Sequence, residues 1–259
     1  MEMKIVVCGA AGRMGKTIIN LAIENSDFEV IVALEYEGNK AIGRGDPIIS
    51  SINDLGKVLK GTDVVIDFTN PESTLNNLEH IKQYNVPVVI GTTGFSVEQR
   101  QKIEDFSKSI PILLSPNMSV GVNILFKLVK EVTKKIPDYD IEILELHHNK
   151  KKDAPSGTAA RLAEIAASAK CENIKDIAVY GRHGSSCTRA KEEIGVFSIR
   201  AGDIVGDHTV YFVGQGERIE LTHRASSRDT FASGALKAAK WLVKQKSGLY
   251  DMADVLNLK

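Results

Sequence analysis

Short apolar runs alternate with amphipathic stretches through the first half of the chain. KIVVCGA (4–10), FEVIVALE (28–35), TDVVIDF (62–68), VPVVIGTTG (86–94) and IPILLSP (110–116) have strand length and are rich in Val and Ile. TDVVIDF is almost unbroken, as a parallel strand buried on both faces requires. After GAAGRMG (9–15) the period lengthens, and Met14, Ile18, Leu21 and Ala22 fall on one helical face. Pro71 after Asn70 predicts a helix start, and Ser96 with Gln99 predicts a capping box at another. The repetition of strand and helix predicts an α/β fold with a doubly wound parallel sheet of Rossmann type.

The pattern changes from about residue 119. SVGVNILFKLVKEVTKKI reads as one long helix, and YDIEILELHH, EIGVFSIRAG, HTVYFVG and ERIELTHRAS read as strands separated mostly by turns. This predicts a second, α+β domain on a mostly antiparallel or mixed sheet. DTFASGALKAAKWLVKQ (229–245) is a further amphipathic helix, with Phe231, Leu236, Ala239 and Leu242 as its expected buried stripe. Periodicity leaves open whether it covers the second sheet or returns to the first domain.

Composition narrows the function classes. The 259 residues carry 33 Lys+Arg against 33 Asp+Glu, a balance that gives no support to nucleic acid or an anionic membrane as partner. Any bound anion must be captured by a local cluster. Cys8, Cys171 and Cys187 are odd in number and lack CxxC spacing, so neither disulfides nor a zinc site is expected, and Cys8 reads as a buried thiol. No run approaches the roughly 20 apolar residues of a membrane span, and KIVVCGA is too short for a signal peptide. These features together predict a cytoplasmic protein.

Chemistry concentrates in two places. Gly9, Gly12 and Gly15 form a GxxGxxG turn between strand and helix, and Glu35 follows Gly15 by twenty residues at the end of the next strand. Glycines let backbone approach a pyrophosphate at a positive helix N-terminus, and the acid can accept from a ribose hydroxyl, so the unit predicts a dinucleotide site. Arg13 within the turn is a candidate phosphate contact. Ligands of such sheets sit at the carboxyl ends of strands, which gathers Phe68-Thr69, Gly91-Thr92-Thr93 and Ser115-Pro116-Asn117-Met118 around one crevice suited to a nicotinamide.

The second place is LELHHNKKKDAPSGTAARLAE, from Leu144. Adjacent strand residues face opposite ways, so His147 and His148 serve one site only if the strand ends there. Asp153-Ala-Pro-Ser-Gly predicts a turn, with Ser156 as N-cap of a helix whose first amides, Gly157 and Thr158, make an anion-binding end. Lys150, Lys151 and Lys152 stand just upstream. A possible proton donor thus lies beside two means of holding a carboxylate. The paired histidines lack the i, i+4 spacing of a helical metal site and no third ligand is evident, so no metal is expected.

The run ELHHNKKKDAPSGTA closely resembles the E-x-H-H-x-x-K-x-D-A-P-S-G-T-A signature of the dihydrodipicolinate reductase family, also called 4-hydroxy-tetrahydrodipicolinate reductases. The likeness continues in GAAGRMG, DVVIDFT, VIGTTGF, SPNMSVGVN, RAGDIVGDHTV and ASSRDTFASGALKAAKWL. It implies NAD(P)H-dependent reduction of a cyclic dicarboxylate in lysine and diaminopimelate biosynthesis. It implies His147 as general acid/base, Lys151 as second proton donor, and His148, Gly157 and Thr158 as substrate contacts. It also implies a nucleotide site of Gly9, Ala10, Ala11, Gly12, Arg13, Met14, Glu35, Gly91–Thr93 and Ser115–Met118. The implied organisation is a homotetramer, with residues 1–118 and 229–259 forming the dinucleotide domain and 119–228 the substrate and oligomerisation domain. One departure matters: many members carry a basic residue after the ribose-binding acid, where this chain has Tyr36. Tyr36 can stack on adenine but brings no charge to a 2′-phosphate, which leans the expected coenzyme toward NADH unless Lys40 or Arg44 reaches that phosphate. Two rival readings stay open, another amino-acid-pathway dehydrogenase and a nucleotide-sensing protein without turnover.

Overall fold

In a computed structural model, which describes residues 2–259, the first half builds a parallel sheet from β1 (Met3–Cys8), β2 (Phe28–Glu35), β3 (Ile49–Ser51), β4 (Val64–Asp67), β5 (Val88–Ile90) and β6 (Pro111–Leu114). The connecting helices are α1 (Arg13–Ile23), α2 (Leu55–Val58), α3 (Pro71–Ile81) and α4 (Val97–Ser107). Local chemistry sets the helix starts. Asn70 accepts from the Ser73 amide with Pro71 in the first turn of α3, and Ser96 and Gln99 close a reciprocal capping box on α4. Alternate residues of the central strands feed two cores. Ile5 and Val7 of β1 join one side, and Val6 and Cys8 join the other.

The chain then forms a second unit, Gly121–Ser227, from α5 (Val120–Lys135), β7 (Asp140–His147), α6 (Gly157–Ala169), α7 (Ile174–Ile177), β8 (Ala178–Val179), β9 (Ile194–Arg200), β10 (Gly206–Val213) and β11 (Arg218–Ala225). Its strand order is β11-β10-β7-β9-β8. β10 is antiparallel to β7 and β11, whereas β9 is parallel to β7 and β8, so the sheet is mixed. β7 alternates half-buried and buried residues along its length, and Ile141 and Ile143 face the core with Leu162 of α6 and Val129 of α5. Side-chain alternation along strands makes this pattern.

Arg228–Lys259 belongs with the first unit, adding α8 (Asp229–Leu242), β12 (Gly248–Tyr250) and α9 (Met252–Val255). The first sheet therefore has seven strands, β12-β6-β5-β4-β1-β2-β3, all parallel. Five were predicted. β3 and β12 are three-residue edge strands, too short to carry a hydrophobic period. α8 lies in the same core as α1, and its buried face is mostly small: Ala232, Gly234, Ala235, Ala238 and Ala239 beside Leu236 and Leu242. Small side chains let the helix sit close to the sheet. Phe231, expected in that stripe, is half-buried and lies outside the core cluster. Among the described residues, no helix is long and apolar enough to cross a membrane.

Candidate active site

In the first unit, the glycine turn joins β1 to α1. Gly9 adopts φ +82°, and a Cβ there would stand 2.5 Å from the Phe68 carbonyl oxygen, so only glycine fits. Gly15 packs against the Gly9 carbonyl, drawing the first turn of α1 onto the strand end. Gly12 is the N-cap of α1 and brings no side-chain acceptor, which leaves the positive helix end open toward the turn. Glu35 is buried at the end of β2 and accepts from the Ala11 amide (2.9 Å) and the Tyr36 amide (3.1 Å). The acid thus lies on the glycine turn itself. Tyr36 is 61% exposed, and Lys40, Arg44 and Arg13 are also exposed.

The next loops are held by a residue that periodicity does not single out. Asp67, fully buried at the end of β4, accepts from the Thr69 amide (3.0 Å), the hydroxyls of Thr69 (2.6 Å) and Thr74 (3.0 Å), and the Asn77 side-chain amide (2.8 Å). Thr92, itself buried, also donates to it at 3.3 Å, so this predicted contact turns its side chain inward. Phe68 packs over Gly91, and Thr93 is exposed beside them. Ser115 donates to the Asn117 carbonyl (2.8 Å), Pro116 is exposed, and the Met118 side chain belongs to the core. Burial, then the Asp67 and Glu35 charges, pushes the Cys8 thiol well up, consistent with a thiol that serves only packing.

In the second unit, strand register assembles the site. Pairing sets Ser198, Glu145 and His208 side by side across β9, β7 and β10, and sets His147 beside Arg200 in the next row. Glu145 is 0% exposed, and His147, the last residue of β7, is 8% exposed. Glu145 Oε1 accepts from Arg200 Nη2 (2.8 Å) and the Ser156 amide (3.1 Å). Its Oε2 accepts from Arg200 Nη1 (2.9 Å) and bonds His147 Nδ1. Burial raises the Glu145 carboxyl, but hydrogen bonds from His147, Arg200, Ser198 and the Ser156 amide overcome it and hold the group well below the usual carboxylate range. An ionised carboxylate only accepts, so the Nδ1 of His147 is the donor in this contact.

His208 stands edge-on to His147 at 5.2 Å between ring centroids, and its Nε2 lies 3.1 Å from the Ser156 hydroxyl. Burial first, then the neighbouring His147, pushes it down to about 3, so it stays neutral and adds no positive charge beside His147. Its Nδ1 has no partner among the described residues. Ser156 also caps α6 by accepting from the Ala159 amide, which puts Gly157 and Thr158 at the first two helical positions. Of the three lysines, Lys151 is the one drawn in. Its Nζ pairs with Asp153 at 2.9 Å, and its side chain is 20% exposed. His148 lies beyond the strand end, donates its amide to Ile204 and accepts from the Lys150 amide at Nδ1 (3.2 Å). His147, Lys151 and the α6 start are therefore gathered at one end of the second sheet. Glu145, Arg200 and Asp67 were missed. The available signal was the i, i+2 spacing of Glu145 and His147, which puts both on one strand face.

Fold and site define the class as a Rossmann-type reductase carrying a separate α+β unit. Comparison narrows it. Residues 3–118 match the family described as "Dihydrodipicolinate reductase, N-terminus", and residues 121–256 match "Dihydrodipicolinate reductase, C-terminus". Proteins named 4-hydroxy-tetrahydrodipicolinate reductase from Syntrophotalea carbinolica and Trichlorobacter lovleyi are 51% and 50% identical, over 99% of this chain and 100% of each relative. A dipicolinate-bound dihydrodipicolinate reductase from Paenisporosarcina sp. TG-14 superposes with a TM-score of 0.80 at 23% identity, over 98% of this chain and 99% of that one. A DAP dehydrogenase from C. glutamicum shares the fold at a TM-score of 0.56 and 11% identity, over 97% and 93% of the two chains. The chain belongs to the dihydrodipicolinate reductase family.

Proposed function

We propose that this chain reduces 4-hydroxy-tetrahydrodipicolinate to tetrahydrodipicolinate with NADH or NADPH, in lysine and diaminopimelate biosynthesis. The observation that carries the reading is a strand-end His147 oriented by a buried carboxylate, beside Lys151 and the α6 N-terminus, in a chain of this family. Loss of the 4-hydroxyl as water leaves a conjugated dihydrodipicolinate. A reduced nicotinamide held from the glycine turn and Glu35 would be the source of the hydride that ring C4 receives. His147 delivers a proton from Nε2 to the adjacent carbon of the resulting enamine, so one hydride and one proton are added per turnover. Lys151, with His148 and the Gly157 and Thr158 amides, holds a substrate carboxylate by charge and helix polarity, and Lys151 is the second candidate donor of that same single proton. The open start of α1 fits a pyrophosphate, with Gly9, Ala10, Ala11, Gly12, Arg13 and Met14 around it and Glu35 for the ribose.

The test is consumption of reduced coenzyme that depends on the dicarboxylate. Turnover with a diaminopimelate- or homoserine-type substrate and none with the dicarboxylate would overturn the reading, and no turnover at all would favour a sensor.

The exposed, uncharged Tyr36 supports a preference for NADH. Kinetics with both coenzymes should give the lower KM for NADH. Tyr36→Arg should raise kcat/KM for NADPH by about 10- to 100-fold, since a charged hydrogen bond to phosphate contributes about 1.5–3 kcal/mol. Equal kcat/KM values in the parent and the variant would remove Tyr36 from coenzyme choice. Lys151→Ala should raise KM for the dicarboxylate about tenfold or more while leaving coenzyme KM unchanged. A homotetramer is the assembly we expect. Apolar residues on the sheet face opposite Glu145, including half-buried Leu144 and Phe197 and exposed Ile199, support that reading, and light scattering tests it.

A further inference from the structure

We propose that Glu145 is a positioning residue: clamped by Arg200 and the Ser156 amide, it fixes the proton of His147 on Nδ1 and so keeps Nε2 as the nitrogen that exchanges with substrate. This deepens, and rests on, the reading of His147 as the proton donor. The donors around Glu145 leave no other arrangement. A guanidinium and a backbone amide can only donate. They occupy both carboxylate oxygens, at 2.8 and 3.1 Å on Oε1 and 2.9 Å on Oε2. The ion pair with Arg200 leaves the carboxylate without a proton to give, so His147 Nδ1, which bonds the same Oε2, must donate as well. After the ring gives up its Nε2 proton, the neutral form left behind is the one this carboxylate stabilises.

The clamp also ties together segments far apart in the chain. Arg200 reaches Glu145 across 55 residues and, through Nη2, donates to the Asp153 carbonyl at 2.6 Å, while Asp153 pairs with Lys151. Ser156, whose amide holds Oε1, is the cap of α6. One buried carboxylate thereby sets the histidine, the lysine-bearing loop and the helix start in register. On the far side of the ring, a Cβ at Gly206 would stand 2.9 Å from Nε2, so glycine there keeps that nitrogen clear.

Glu145→Gln tests the idea by inverting the tautomer. Glutamine offers one acceptor oxygen, which Arg200 Nη2 and the Ser156 amide claim; its NH2 replaces Oε2, forfeits the bond from Arg200 Nη1 and faces His147 Nδ1, the one neighbour there able to accept. That nitrogen must accept, so the neutral ring carries its proton on Nε2 and has lost its acid form. The first measurement is the nitrogen NMR shifts of the neutral His147 ring. The Nδ1–H form is expected in the unaltered protein and the Nε2–H form in the variant. Turnover should fall by about 100-fold or more, with coenzyme affinity retained. On a His147→Gln background the same change should cost no more than about twofold, because residues acting as one unit are not additive.

Finding Nε2–H in the unaltered protein overturns the proposal without need of any variant. So does near-normal turnover of Glu145→Gln, or a loss that multiplies on the His147→Gln background. If His147→Gln alone keeps full turnover, the proton-donor reading fails instead, and the tautomer still decides whether Glu145 positions the ring.

Discussion

His147→Gln is expected to lower kcat by about 100- to 10,000-fold, the range set by loss of a general acid. The change keeps a polar side chain of similar reach at the end of β7, and the Glu145 carboxylate stays paired with Arg200. Folding should therefore survive, and coenzyme titration should give an unchanged affinity, since the glycine turn and Glu35 lie in the other unit. A drop in kcat without a matching rise in KM would mark an interaction made in the transition state alone. Near-normal kcat would show that another group supplies the proton.

Arg200→Met should produce the largest loss of stability. It strips the bidentate cation from a carboxylate that is 0% exposed, and breaking such a pair costs about 3–5 kcal/mol. Urea unfolding at neutral pH measures it. The pH dependence follows from the sign of the Glu145 shift. Burial alone would raise this carboxyl, yet the hydrogen bonds from His147, Arg200, Ser198 and the Ser156 amide leave it lowered on folding. Its contribution is therefore complete above the unfolded carboxylate range and is lost as pH falls toward the folded value. In the variant, burial meets no guanidinium, so the folded carboxyl rises and takes up a proton at milder acidity. The stability gap between the two proteins should narrow as pH falls from neutral to the ordinary carboxylate range. A gap that is constant with pH, or smaller than about 1 kcal/mol at neutral pH, would place the Arg200 contribution elsewhere.

Different parts of the molecule were legible to different degrees. Asn70-Pro71, Ser96 with Gln99, and Ser156 ahead of α6 are signals within one helical turn, and each caps the helix it predicts. The apolar runs of β1, β2 and β4 are buried enough to reveal themselves as strands of a parallel sheet. Edge strands β3 and β12 were not legible, because three residues hold no period. Phe231 misled for a related reason: apolar periodicity favours large residues, whereas α8 packs through alanines that weigh little in such a pattern.

The family signature around His147 and Lys151 is contiguous, so the chain alone pointed to the reaction class, the dinucleotide turn and the segment that carries His147, the proposed proton donor. It could not give the constellation that orients that donor. Arg200 meets Glu145 from 55 residues away, and His208 meets Ser156 from 52. These contacts exist because β9 and β10 flank β7 in one particular register, and a shift of a single residue would turn every side chain to the opposite face. Asp67 is similar: inside an apolar run it reads as an interruption, and only the fold brings Asn77 and Thr92 to its oxygens. Short-range order is written in spacing and caps, whereas the electrostatics of the site depend on which strands become neighbours.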